Sequence, residues 1–180
     1  MKYLVISDTH GHVETALQIW EKHNRATGLD GVIHLGDLAE DVSRISGRLN
    51  VPVLGVSGNM GGSGALPDHR IWETPYGPVL LTHGHLQNVK TGLSDLLYRT
   101  LELECRAALF GHTHIPCMEY AQGIHLVNPG SLTRPAGGRP SYGLLTLEKD
   151  LFRAEILFWE TAPPVRGGKL YDLLNQADRA

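Results

Sequence analysis

Tyr3-Leu4-Val5-Ile6-Ser7 is an uninterrupted apolar, β-branched run, the pattern of a strand buried on both faces. Val13 to Ala26 then places Val13, Ala16, Leu17 and Trp20 at helical spacing. Gly31-Val32-Ile33-His34-Leu35 predicts a second strand, and Val42, Ile45 and Leu49 mark a short helix. Val51 to Val56 predicts a third strand, with Pro52 near its start. Strand, helix, strand, helix, strand is the order of a parallel sheet built by right-handed crossovers.

The later pattern differs. Arg70 to Thr74 and Pro78 to Thr82 predict a hairpin turned at Tyr76-Gly77, and Leu93 to Leu103 a helix with Leu93, Leu96, Leu97 and Leu101 on one face. Ala107 to Phe110 reads as another buried strand. Four strands without helices follow: Met118 to Ala121, Ile124 to Val127, Tyr142 to Leu147 and Phe152 to Trp159. Gln122-Gly123 and Lys149-Asp150 turn between them. Leu170 to Ala177 predicts a closing helix. Parallel units first and antiparallel strands later predict an α/β fold, a four-layer α-β-β-α sandwich. Its two mixed sheets pack together with helices on the outer faces, as a single domain over residues 1–180.

Composition narrows the class. Of 180 residues 42% are hydrophobic and 19% charged, which excludes a disordered chain. The net charge of −3 excludes a protein that coats nucleic acid by bulk charge, and no stable nucleic-acid complex is expected. Two cysteines, Cys105 and Cys117, cannot form a disulfide framework. The first strand is too short for a signal-peptide core, and no apolar run approaches ~18 residues. A cytoplasmic protein without membrane segments is therefore expected. Histidine numbers 10, and six of these form three His-x-His pairs.

The residues that directly follow the strands carry the chemistry. They are Asp8-Thr9-His10-Gly11-His12, Gly36-Asp37, Gly58-Asn59, His83-Gly84-His85 and Gly111-His112-Thr113-His114. Ligands of α/β sheets gather at the carboxyl ends of strands, so five remote segments are predicted to meet at one edge. Two carboxylates, an amide and several imidazoles, with no thiolate, suit manganese, iron, zinc, cobalt or nickel. The count suffices for two ions that share one aspartate.

These five segments, in this order, resemble the five motifs of the calcineurin-like metallophosphoesterases. The short length, the spacing and Asn128-Pro129-Gly130-Ser131 are similar to the small prokaryotic YfcE-type phosphodiesterase branch, over residues 1 to about 148. The resemblance implies one ion held by Asp8, His10, Asp37 and His114, and another by Asp37, Asn59, His83 and His112. It also implies two divalent ions, manganese first among them, a bridging hydroxide as nucleophile, and a small phosphodiester as substrate. Asp37, Asn59 and His85 form the expected catalytic set, His12 and Arg134 the expected substrate contacts. A homo-oligomer is a further expectation from the family.

One departure matters. Met60-Gly61 follows Asn59 where the family's protein phosphatases place a histidine and an acidic residue, and methionine cannot donate a proton. Leaving-group protonation therefore falls to His12 or His85. Activated aryl diesters, which need no acid, are expected to react better than alkyl monoesters. A phosphomonoesterase or nucleotidase on the same ions, or a scaffold like the family's retromer subunit, are the competing readings. Bland alternatives exist for single residues. Asp8 and Asp37 could be helix N-caps, Asn59 part of a turn, and Asn128 to Ser131 a turn beside the site. Arg134 and Arg139 could lie on a solvated loop, Thr133 to Pro140. His23, His34, His69 and His125 read as structural, and Trp20, Trp72 and Trp159 as packing residues.

Overall fold

The computed structural model describes residues 1–60, 66–136 and 138–160. The first half alternates as its pattern predicts: β1 (Lys2–Ile6), α1 (Glu14–Thr27), β2 (Gly31–His34), α2 (Ala39–Ser46) and β3 (Val53–Gly55). The hairpin β4 (His69–Trp72) and β5 (Val79–Thr82) follows, then a short 3-10 helix over His85–Gln87, α3 (Ser94–Glu102) and β6 (Ala107–Leu109). The remaining strands are β7 (Cys117–Ala121), β8 (Ile124–Asn128), β9 (Ser141–Glu148) and β10 (Leu151–Phe158). The helix expected over Leu170 to Ala177 lies outside the described residues.

Two five-stranded sheets result, ordered β10-β9-β1-β2-β3 and β4-β5-β6-β8-β7. In the first, β1, β2 and β3 are parallel and the β9–β10 hairpin adds antiparallel to β1. In the second, β5, β6 and β8 are parallel, with β4 and β7 antiparallel at the edges. Both sheets are therefore mixed, and the parallel centre of each is the part whose strand ends carry the polar motifs.

The continuous apolar runs are explained by burial on both faces. Tyr3 and Val5 of β1 point into a core shared with Val79, Leu81, Leu109 and Val127 of the other sheet. Leu4 and Ile6, one residue out of phase, pack with Ala16, Ile19 and Trp20 of α1 and Ile45 of α2. Leu80, Ala108 and Leu126 pack outward against Leu96 of α3. Three apolar layers thus separate helix, sheet, sheet and helix, which is the four-layer sandwich. Trp20 is core, and Trp72 stacks edge-on to Tyr3 with ring centroids 4.8 Å apart. Among the described residues no helix is long and apolar enough to cross a membrane.

The third strand is shorter than its apolar run. Pro52 has no N–H to give to a ladder, so it contributes only its carbonyl, accepting from Val32 at 3.0 Å. The helices also begin later than the N-cap alternative for Asp8 and Asp37 requires: Val13 and Leu38 hold those positions without side-chain caps.

Leu81→Ala, at a fully buried position between the sheets, should lower unfolding stability by about 2–5 kcal/mol in urea titrations. Ile71→Ala on edge strand β4, where the side chain is 41% exposed, should change it by no more than about 0.5 kcal/mol.

Candidate metal centre

Each strand end turns sharply where its motif begins. Asp8, His10, Asp37, His112 and His114 all adopt left-handed backbone conformations, with φ of 54°, 45°, 95°, 68° and 59°. Non-glycine residues seldom hold such angles, and their concentration here marks loops constrained by what they must present. Two glycines make room. A Cβ on Gly58 would lie 2.1 Å from the Asp37 main-chain nitrogen, and one on Gly111 would lie 2.0 Å from Ser7 Oγ.

The side chains meet as the sequence predicts. Asp8, His10 and His114 form one group whose ligand atoms lie within 4.8 Å of one another, and Asp8, Asp37 and His83 form a second. His10 Nδ1 stands 2.5 Å from Asp37 Oδ2, and the His10 and His114 rings are 5.1 Å apart. Asn59 Oδ1 lies 2.9 Å from His83 Nε2, and His112 Nδ1 lies 3.2 Å from the same nitrogen. All seven expected ligands therefore converge between the two sheets' strand ends.

Hydrogen-bond direction shows what the cluster lacks. His114 Nδ1 must donate to the Arg134 carbonyl at 2.8 Å, because that oxygen only accepts. In the neutral ring, Nε2 then presents a lone pair to Asp8 Oδ1, 3.1 Å away. His83 repeats the pattern. Its Nδ1 donates to the Leu35 carbonyl at 2.7 Å, so Nε2 faces Asn59 Oδ1 as acceptor to acceptor. Asp8 Oδ2 already accepts from the Ser7 hydroxyl at 2.6 Å and from the His112 N–H at 3.1 Å, which leaves Oδ1 free. Asp8 Oδ1, His10 Nε2 and Asp37 Oδ2 are buried without hydrogen-bond partners. A cation would satisfy these lone pairs together, and mixed oxygen and nitrogen donors fit a divalent transition metal.

The protonation states agree. Burial pushes the imidazole pKa of His10 and His112 down and that of His83 down to about 4, so these rings are neutral donors at neutral pH. Burial pushes the Asp37 carboxyl up. For Asp8, burial is outweighed by His114, His83 and the Ser7 hydroxyl, which hold the carboxyl below its ordinary value. The hydrogen-bond contact with Asp8 raises the His114 imidazole.

The remaining expected residues divide. His85 is half-buried, its ring 5.5 Å from that of His83 and 6.1 Å from that of His112, with Nδ1 buried and unpartnered. Arg134 is exposed at the rim. Its carbonyl fixes His114, and its charge acts on His10 and Asp37. His12 is exposed, and among the described residues no hydrogen bond or ring contact ties its imidazole to the cluster. Arg139, on the loop read as solvated, pairs with Glu160 at 3.4 Å and covers Phe158. Met60 is 51% exposed beside Asn59.

Several supports were not foreseen. Asn128 donates to the Gly111 carbonyl at 2.9 Å and to Thr113 Oγ1 at 3.0 Å, while Ser131 and Thr133 hydroxyls donate to the Asp8 carbonyl at 2.9 and 3.0 Å. The Asn-Pro-Gly-Ser turn is thus a buttress under two ligand loops. His34, read as structural, bridges Thr9 Oγ1 at 2.8 Å and the Gly36 N–H at 3.3 Å. Its position inside a strand, three residues before Asp37, was the available signal.

Residues 1–150 match the calcineurin-like phosphoesterase superfamily domain, and the chain belongs to that superfamily. Its class of chemistry is the metal-assisted hydrolysis of phosphate esters. The chain is 35% identical over 177 residues to the probable metallophosphoesterase YsnB of Bacillus subtilis, covering 98% of each. It is 30% identical over 172 residues to the phosphodiesterase YfcE of Escherichia coli, covering 81% of this chain and 87% of that one. The crystal structure of a predicted phosphoesterase from Streptococcus pneumoniae superposes with a TM-score of 0.72 at 27% identity, over 87% and 88% of the two chains. Zinc-bound Vps29 of Entamoeba histolytica shares the fold at 20% identity, with a TM-score of 0.70 over 88% and 99%.

Gly58→Ala should displace Asp37 and weaken manganese binding about tenfold or more by calorimetry, whereas Gly47→Ala, whose added Cβ meets nothing closer than 3.4 Å, should not. Stability should also depend on His34. Burial holds its pKa at about 4 against an ordinary 6.5, so the unfolded chain binds the extra proton. The contribution is full above pH 6.5 and is lost as pH falls toward 4. In metal-free urea titrations, His34→Gln should flatten the decline of the midpoint across that window.

Proposed function

We propose that this protein is a dinuclear, manganese-preferring phosphodiesterase acting on small phosphodiesters. The observation that carries the reading is the convergence of oxygen and nitrogen ligand atoms of Asp8, Asp37, Asn59, His10, His83, His112 and His114, with His83 Nε2 and His114 Nε2 turned as lone pairs toward oxygens. Asp8, His10, Asp37 and His114 would hold one ion, and Asp37, Asn59, His83 and His112 the other, with Asp37 shared. Bound in this way, a metal pair supplies an activated water and a positive field for the phosphoryl oxygens.

The chain's own residues do the rest. Two carboxylates against two divalent ions leave the centre cationic, which attracts a phosphate anion into a chain of net charge −3. Arg134 adds a guanidinium at the rim, suited to a non-reacting phosphoryl oxygen. His85, half-buried with its ring beside those of His83 and His112, would be the group to hydrogen-bond a leaving oxygen, since the Met60 side chain supplies no donor. His12, exposed and untied, is at most a contact for the outer part of a substrate. A retromer-like scaffold role would not require all seven donors to stay competent and convergent.

Purified protein with manganese should hydrolyse bis-p-nitrophenyl phosphate and turn over alkyl monoesters more slowly. The reverse preference would favour the monoesterase reading. In labelled water, one label should enter the phosphate product; label only in the alcohol contradicts attack at phosphorus. Asp37→Asn should fold normally and lose activity by about 100-fold or more, because the shared charge is gone.

A further inference from the structure

Asp41 belongs to no ligand motif, yet it is 1% exposed and sits in the first turn of α2. Its Oδ2 accepts from Thr9 Oγ1 at 2.6 Å and from the Gly11 N–H at 2.8 Å. Because the Thr9 proton goes to Asp41, Thr9 Oγ1 must accept from His34 Nε2 at 2.8 Å. His34 Nδ1 is then the acceptor for the Gly36 N–H at 3.3 Å. Every proton in this chain has one direction, and Thr9 and His34, both fully buried, have no water to substitute for a lost link. Arg44 closes the outer end, donating to the Gly11 carbonyl at 2.6 Å and standing 3.5 Å from Asp41 Oδ1.

The path is selective. It enters the first ligand loop between Asp8 and His10 and leaves at Gly36, the residue before Asp37. Asp8, His10 and Asp37 are three of the four expected ligands on the first sheet, Asn59 after β3 being the fourth, and these three hold left-handed backbone angles that relax unless something over-determines them. Asn59, His83 and His112 receive no bond from it. His83 hangs from the Leu35 carbonyl, and the loop before His112 hangs from Asn128.

We infer that Asp41, acting through Thr9 and His34, is a positioning residue that sets the affinity of the Asp8–His10–Asp37–His114 half of the centre far more than that of the half held by Asn59, His83 and His112, which the path reaches only through the shared Asp37 and the His112 N–H on Asp8. The inference rests on the dinuclear reading above. An asparagine at position 41 keeps an oxygen able to accept from both Thr9 and Gly11, whereas alanine releases both. A valine at position 9 keeps the shape of threonine and removes both links at once; serine keeps them.

The test is manganese calorimetry on the full chain stripped of metal, with circular dichroism to confirm the fold. Wild type should bind two ions. In Thr9→Val and Asp41→Ala one step should weaken by about 10–100-fold and the other by no more than about twofold, with Thr9→Ser and Asp41→Asn close to wild type. Manganese-soaked crystals of Thr9→Val should show the weakened ion beside Asp8 and His10. Equal weakening of both steps, no weakening, or a Thr9→Val chain that does not fold each overturns the inference. If Asp41→Ala alone fails to fold, Thr9→Val decides. Fewer than two ions in wild type overturns the dinuclear reading instead.

Discussion

Oxygen and nitrogen lone pairs turned toward one another around two buried carboxylates are the constraint on which the structure turns. Asp8 and Asp37 are 0% and 2% exposed, and the His83 and His114 Nε2 atoms that face Asp8 have their Nδ1 atoms tied to carbonyls. Buried acceptors without donors are costly in a folded chain. A proton shared between His114 and Asp8 relieves only one such contact. Divalent cations relieve all of them, and the affinity for metal is thereby coupled to the deprotonation of the same groups.

The fold is the device that makes this arrangement tolerable. Three apolar layers hold two mixed sheets and their helices rigidly, so that the carboxyl ends of the parallel strands lie side by side. Loops from both sheets then turn through left-handed residues into one cleft. Glycine is required where two loops touch, as at Gly58 against the Asp37 backbone. The supports come from elsewhere in the chain: Asn128 and Ser131 from the end of β8, Asp41 from α2.

Much of this was legible in the sequence, for a physical reason. Strands buried on both faces leave continuous apolar runs, so Tyr3 to Ile6, Val79 to Thr82 and Ala107 to Leu109 announce themselves, and the polar residue that follows each run has to sit at a strand end. The order Asp8, Asp37, Asn59, His83, His112, His114 therefore encoded the site's location as well as its chemistry. What stayed hidden were partners whose roles depend on side-chain direction. Arg139 and Arg134 flank the same loop, yet one turns to Phe158 and Glu160 while the other stands at the rim. Asp41 looks like an ordinary acidic residue in the first turn of a helix, and its own burial together with that of Thr9 beneath it distinguishes it.

Anomalous diffraction from crystals of the wild-type protein soaked in manganese addresses the central claim most directly. The account predicts two peaks about 3.5–4 Å apart with Asp37 touching both, one flanked by Asp8, His10 and His114 and the other by Asn59, His83 and His112. A cleft with no peak, or with a single peak that leaves His83 and His112 facing each other unliganded, would contradict it.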